Sequence, residues 1–184
     1  MKKNVEEIYL YPGDFYITDQ QRKVVTILGS CVAVVMSVNK FHMGGIIHGI
    51  FPNSKDNPNL NDTRYTNLAI YKLLNTFLNM GIKKHDIDVK VFGGANINLG
   101  ISNIIESVGN KNIQIAFDIL KKEQLEIKTQ DVGGNRGRKL LFYPYTGEVY
   151  MKYLEKFDNN LLDLEKKEIV KEINIYEKNQ SINS

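Results

Sequence analysis

Val24-Val25-Thr26-Ile27-Leu28-Gly29-Ser30-Cys31-Val32-Ala33-Val34-Val35-Met36-Ser37-Val38 is an apolar stretch broken once, at Gly29-Ser30. Its two halves are short and rich in β-branched residues, which predicts two buried strands with a turn between them. Upstream, residues 1–21 read as an entry segment with one turn at Pro12-Gly13-Asp14. Downstream, Met43 to Phe51 reads as a third strand, and its Gly44-Gly45 pair predicts close approach by a neighbouring backbone. Pro52 to Asp62, rich in proline and asparagine, is a loop and a candidate rim for a nearby site.

Two helical patterns follow. Thr63 to Met80 carries an apolar stripe through Leu68, Ala69, Leu73, Leu74 and Phe77, with Asp62 or Thr63 as cap and Gly81 as stop. Lys111 to Lys122 turns Ile113, Ala116, Ile119 and Leu120 inward. Between and after them, Asp86 to Phe92 and Leu125 to Asp131 read as strands. Lys139 to Tyr143 and Glu148 to Tyr153 read as a hairpin around Pro144-Tyr145-Thr146-Gly147. The order predicts an α+β layered sandwich, a mixed or antiparallel β-sheet packed with two core helices. The expected domain is 1–153. Residues 154–184 form a polar C-terminal extension with helical spacing from Asp158 to Lys178.

Composition narrows the function. The chain has 184 residues, 42% of them hydrophobic, enough to bury a core. Twenty-four basic residues are interspersed with 21 acidic ones, for a net charge of +3, so no basic stripe tracks a phosphate backbone and nucleic-acid binding is not expected. The single cysteine fits a reducing compartment. Met1 to Glu7 turns acidic where a signal peptide would carry its apolar core, and no apolar run is long enough to span a bilayer. A cytoplasmic protein without membrane insertion is expected.

Cys31 is that cysteine, and His48 follows it on the next apolar segment. A thiolate is a strong nucleophile, and an adjacent imidazole can take its proton and return one to a leaving group. Each residue has a plainer reading. Cysteine is among the most buried residue types, and a histidine between Ile47 and Gly49 is commonly a core residue. For catalysis speaks the Gly29-Ser30 turn, which can expose the first residue of a strand and turn backbone amides toward an oxyanion. Strand alternation puts Ile46, His48 and Ile50 on one face. His42 and His85 lie in polar turns, and three scattered histidines with one cysteine have no metal-ligand spacing. Gly93-Gly94-Ala95 lacks the Lys-Ser/Thr of a phosphate loop. Gly133-Gly134-Asn135-Arg136-Gly137-Arg138 is a turn whose arginines could hold a carboxylate, in the fold or on another protein.

Taken together, these segments resemble the chemoreceptor glutamine deamidase family, CheD. The matching residues are Leu28-Gly29-Ser30-Cys31-Val32-Ala33-Val34, His48 with Pro52, Tyr65 and Ala69, Val91-Phe92-Gly93-Gly94-Ala95, Val108-Gly109-Asn110-Lys111-Asn112, Asp131-Val132-Gly133-Gly134-Asn135-Arg136-Gly137-Arg138, and Thr146-Gly147. The resemblance implies a cysteine-hydrolase-like fold and conversion of glutamine to glutamate on chemoreceptor cytoplasmic helices, with receptor methylesterase activity in some members. It implies Cys31 as nucleophile, His48 as base and Thr26 as third site residue, with Gly29 and Ser30 forming the oxyanion turn and no cofactor. One departure stands out: the family's Leu-Gly-Leu-Gly-Ser-Cys is one residue longer between threonine and cysteine than Thr26-Ile27-Leu28-Gly29-Ser30-Cys31. A CheC-type phosphatase is the implied partner. The alternative is a non-catalytic adaptor binding that phosphatase or the receptor.

Overall fold

The computed structural model describes residues 5–54, 61–96 and 104–154, together with Lys167, Val170 and Lys171 of the C-terminal extension. The helical pattern read over Asp158 to Lys178 therefore lies almost wholly outside the described residues. So does most of the proline- and asparagine-rich loop.

The chain changes sheets at Gly29-Ser30. Strand β3 (Arg22–Leu28) ends there in one sheet, and β4 (Val32–Val38) begins in another. The first sheet also holds β1 (Glu6–Tyr9), β8 (Arg138–Tyr143) and β9 (Glu148–Tyr153), in the order β1-β3-β8-β9. The second adds β2 (Phe15–Thr18), β5 (Met43–Gly49), β6 (Asp88–Gly93) and β7 (Ile127–Val132), in the order β2-β5-β4-β6-β7. Pairings β1–β3 and β6–β7 are parallel and the rest antiparallel, so both sheets are mixed. A Gly-Ser corner suits such a crossing because a strand must bend sharply to leave one sheet for the next.

Two cores result, separated by β4. Val32, Val34, Met36 and Val38 face helices α1 (Thr66–Asn79) and α2 (Ile104–Lys122), where Leu73, Phe77, Ala116 and Leu120 meet them. Cys31, Ala33 and Val35 face the first sheet, packing with Val24, Leu28, Leu140 and Phe142. Full burial of an aliphatic side chain of this kind contributes about 1.5–3 kcal/mol over exposure, so the start of β4 is held from both sides. The layers are therefore sheet, sheet and helices, the expected α+β sandwich. Gly44 and Gly45 behave as read: a Cβ on Gly44 would press on Phe142 and Pro144, and one on Gly45 on Leu73 and the Tyr16 carbonyl.

Three local readings are corrected. The entry segment contains two strands, β1 and β2, each only four residues long, on either side of the Pro12-Gly13 turn. Neither Asp62 nor Thr63 caps the first helix. The Asp62 carboxylate is held by the Arg64 guanidinium and the Thr63 hydroxyl donates to the Gly13 carbonyl (2.5 Å), so α1 opens at Thr66 with no side-chain cap. The second helix starts at Ile104 rather than Lys111. Gly109, which reads as a helix breaker, lies inside it because its Cα faces the Gly94 and Ala95 carbonyls, where a Cβ would come within 2.8 and 2.9 Å.

Candidate active site

Both sheets contribute to one buried cluster in the space between them. Thr26 lies on β3 with the parity of Val24 and Leu28, which face the second sheet. His48 lies on β5 opposite Ala33 of β4, with Ile46 and Ile50 on the same face. Cys31 lies just before β4 and belongs to the inter-sheet core that also holds Ala33, Ile46 and Ile50, the residues of the His48 face. None of Thr26, Ser30, Cys31 and His48 is more than 1% exposed. The expectation that the Gly-Ser turn would expose Cys31 is thus corrected: the corner aims the residue inward, between the sheets.

Hydrogen bonding fixes the imidazole. The Thr26 hydroxyl donates to the Leu10 carbonyl (2.8 Å), and its oxygen lies 2.9 Å from His48 Nδ1. A hydroxyl has one hydrogen, and here the carbonyl takes it. Thr26 Oγ1 must then accept from His48, which places the ring proton on Nδ1 and a lone pair on Nε2. Among the described residues, Nε2 is the buried side-chain atom with no hydrogen-bond partner. Burial pushes the His48 pKa down from 6.5 to about 4, against a smaller upward pull from the Leu10 carbonyl. The ring is therefore neutral at physiological pH, as a general base requires.

The backbone around Cys31 is clamped from several sides. Gly94 N–H donates to the Cys31 carbonyl (2.7 Å), and Ala95 N–H to the Gly29 carbonyl (2.9 Å). Gly93 adopts a φ of 107°, and a Cβ there would collide with the Cys31 carbonyl oxygen. That is the service of Gly93-Gly94-Ala95: close backbone approach to the cysteine turn. The next glycine pair extends the stack, with Gly133 N–H donating to Gly93 O (2.9 Å) and Asn96 N–H to Gly134 O (2.7 Å). Arg138 is buried within the fold, its guanidinium on Asp131 (2.6 Å) and on the Gly133 carbonyl (2.9 Å). Arg136 is exposed and stacks over the Tyr153 ring at 3.8 Å. His42 and His85 are at the surface, His42 stacked on Tyr145.

Sequence reasoning assigned no role to two participants. Leu10 acts through a carbonyl, which no side-chain pattern reveals. Asn112, on α2, is fully buried and donates to the carbonyls of Ser30 (3.2 Å) and Ile50 (2.8 Å). Its signal was present: it lies four residues before Ala116, on the apolar stripe where a polar residue is out of place.

The arrangement can perform acyl transfer, with a thiol and an unprotonated imidazole nitrogen on one face. Residues 50–153 match the family described as CheD chemotactic sensory transduction. The chain is 40% identical over 149 residues to a Geobacter sulfurreducens protein named probable chemoreceptor glutamine deamidase CheD 2, covering 81% of this chain and 91% of that one. It is 35% identical over 164 residues to a probable chemoreceptor glutamine deamidase CheD of Maridesulfovibrio salexigens, covering 84% and 96%. A Sulfurimonas denitrificans protein of the same name is 35% identical over 151 residues, covering 82% and 96%. With a family match over more than half its length and relatives aligned nearly end to end, the chain belongs to the CheD family.

Proposed function

We propose that the protein hydrolyses the side-chain amide of glutamine on chemoreceptors, producing glutamate and ammonia, with Cys31 as nucleophile and His48 as base. The observation that carries this reading is the Thr26–His48 contact, which leaves Nε2 unprotonated and unpartnered on the face it shares with Cys31.

The reaction runs through a thioester. His48 Nε2 takes the thiol proton and the Cys31 sulfur attacks the carboxamide carbon. Backbone amides around Gly29, Ser30 and Cys31 stabilise the oxyanion of the tetrahedral intermediate. The imidazolium passes its proton to the departing ammonia, leaving the receptor side chain joined to sulfur. Water, deprotonated by the same nitrogen, opens the thioester to glutamate and restores the thiol. Every proton is borrowed and returned by His48, so the cycle needs no cofactor. The same route would open a receptor methyl ester, with methanol leaving in place of ammonia. Because the site is closed, side chains over Cys31 must part before a glutamine can enter.

Chemoreceptor cytoplasmic helices are the proposed substrate and a CheC-type phosphatase the proposed partner, in the cytoplasm. No helix among the described residues is long and apolar enough to cross a membrane. The adaptor alternative drew its support from the one-residue shortening before Cys31. Thr26 nonetheless reaches His48 despite the shortening, which favours the enzyme. The test is incubation with the cytoplasmic fragment of a receptor from the same organism. The reading expects ammonia release and Gln-to-Glu conversion at defined positions by peptide mass spectrometry. Binding without either would favour the adaptor.

A further inference from the structure

We infer that Asn112 is a positioning residue: its carboxamide ties the backbone just before Cys31 to the backbone just after His48 and so sets the distance between thiol and imidazole. The inference rests on the deamidase reading for its activity test, though not for its spectroscopic one.

The geometry is specific. The paired residues of β4 and β5 end at Val32 and Gly49. Beyond that point the strands diverge, since Ile50 N–H donates to the Arg64 carbonyl (2.8 Å). Ser30 and Ile50 lie just past the end of the ladder, and there Asn112 spans them: Nδ2 donates to Ser30 O at 3.2 Å and to Ile50 O at 2.8 Å. Both amide hydrogens are used, and two carbonyl neighbours leave no doubt which end of the carboxamide faces them. The other end, Oδ1, accepts from the Thr66 hydroxyl (2.9 Å). Thr66 is itself wedged at the first turn of α1, where a Cβ on Gly49 would collide with its hydroxyl. Asn112 and Thr66 are both fully buried. One side chain from the helical layer thus replaces the missing ladder rung, at the point where nucleophile and base must keep register. A displacement of about 1 Å in a reacting pair can cost about 100-fold in rate.

The test compares wild type, Asn112→Ala and Ala116→Gly, the last a buried site one turn along α2 that touches neither carbonyl. The chain has one thiol, so its ionisation is read from thiolate ultraviolet absorbance with Cys31→Ser as the blank. Asn112→Ala is expected to shift the pH at which Cys31 ionises. It should lower kcat by about 10- to 100-fold while KM stays within about twofold. Ala116→Gly should leave both readouts near wild type. Should Asn112→Ala fail to fold, Thr66→Val, which removes the bond orienting the carboxamide, is expected to shift both readouts in the same direction, with Thr66→Ser restoring them. A folded Asn112 variant with the wild-type ionisation curve and kcat would overturn the inference, as would equal losses in Ala116→Gly. If wild type releases no ammonia the deamidase reading fails, and the ionisation curve alone decides the role of Asn112.

Discussion

Thr26 Oγ1 lies 2.9 Å from His48 Nδ1 across the gap between the two sheets, and its hydrogen is already committed to the Leu10 carbonyl. One backbone oxygen therefore dictates, through a threonine, which nitrogen of the histidine keeps its lone pair. Second-layer bonds of this kind hold an imidazole in its working tautomer.

Thr26→Val keeps the shape but loses both bonds. It should lower turnover about tenfold or more, a share of what general acid–base catalysis provides. It should also cost about 1–3 kcal/mol of stability, because the buried bonds from the hydroxyl to the Leu10 carbonyl and to His48 Nδ1 are lost. Thr26→Ser should restore both. Steady-state kinetics and urea unfolding on the three proteins check this; full activity in Thr26→Val would remove the residue from the site.

His48 makes stability depend on pH. Its folded pKa of about 4 lies below the 6.5 of the unfolded chain, so as pH falls the unfolded state takes up a proton first. The stabilisation is fully present above about pH 6.5 and is lost between there and about pH 4, on the order of 3 kcal/mol at most. Urea midpoints at about pH 7.5 and about pH 5 should differ more for wild type than for His48→Gln. Parallel pH dependence in the two would show that the ring titrates normally.

Gly93→Ala combines a left-handed backbone with a collision at the Cys31 carbonyl. It should destabilise the fold by at least about 2 kcal/mol. The turn carrying Cys31 should also shift, so activity is expected to fall further than fraction folded. Gly81→Ala provides the comparison: it has a similar φ of 81° with open space around it, so it bears the strain alone.

Much of the site was legible because β-strand parity is rigid. Once Val32 to Val38 and Met43 to Phe51 are read as strands, alternation alone places His48 with Ile46 and Ile50. The same rule gives Cys31 and Ala33 a common face. What parity does not encode is which sheet a strand joins. Gly29-Ser30 would serve equally as a tight hairpin within one sheet, and only the pairing of β3 with β8 rather than β4 makes it a corner. Strands β1 and β2 escaped notice because four residues give too few alternations to stand out. Gly109 and Asn112 owe their places in α2 to backbone approaching from elsewhere in the chain, which helical periodicity does not encode.

The proposed chemistry requires the Cys31 sulfur to become bonded to the receptor glutamine. It is tested most directly by mixing the protein with receptor fragment, quenching in acid during turnover and mapping the adduct by peptide mass spectrometry. The expected wild-type adduct at Cys31 equals the receptor glutamine peptide minus ammonia. It should form with one ammonia released per adduct in the first turnover, hold a steady level while ammonia continues to rise, and be absent from Cys31→Ser and His48→Gln. Ammonia release that persists in Cys31→Ser, or turnover with no adduct on Cys31 at any quench time, would contradict it.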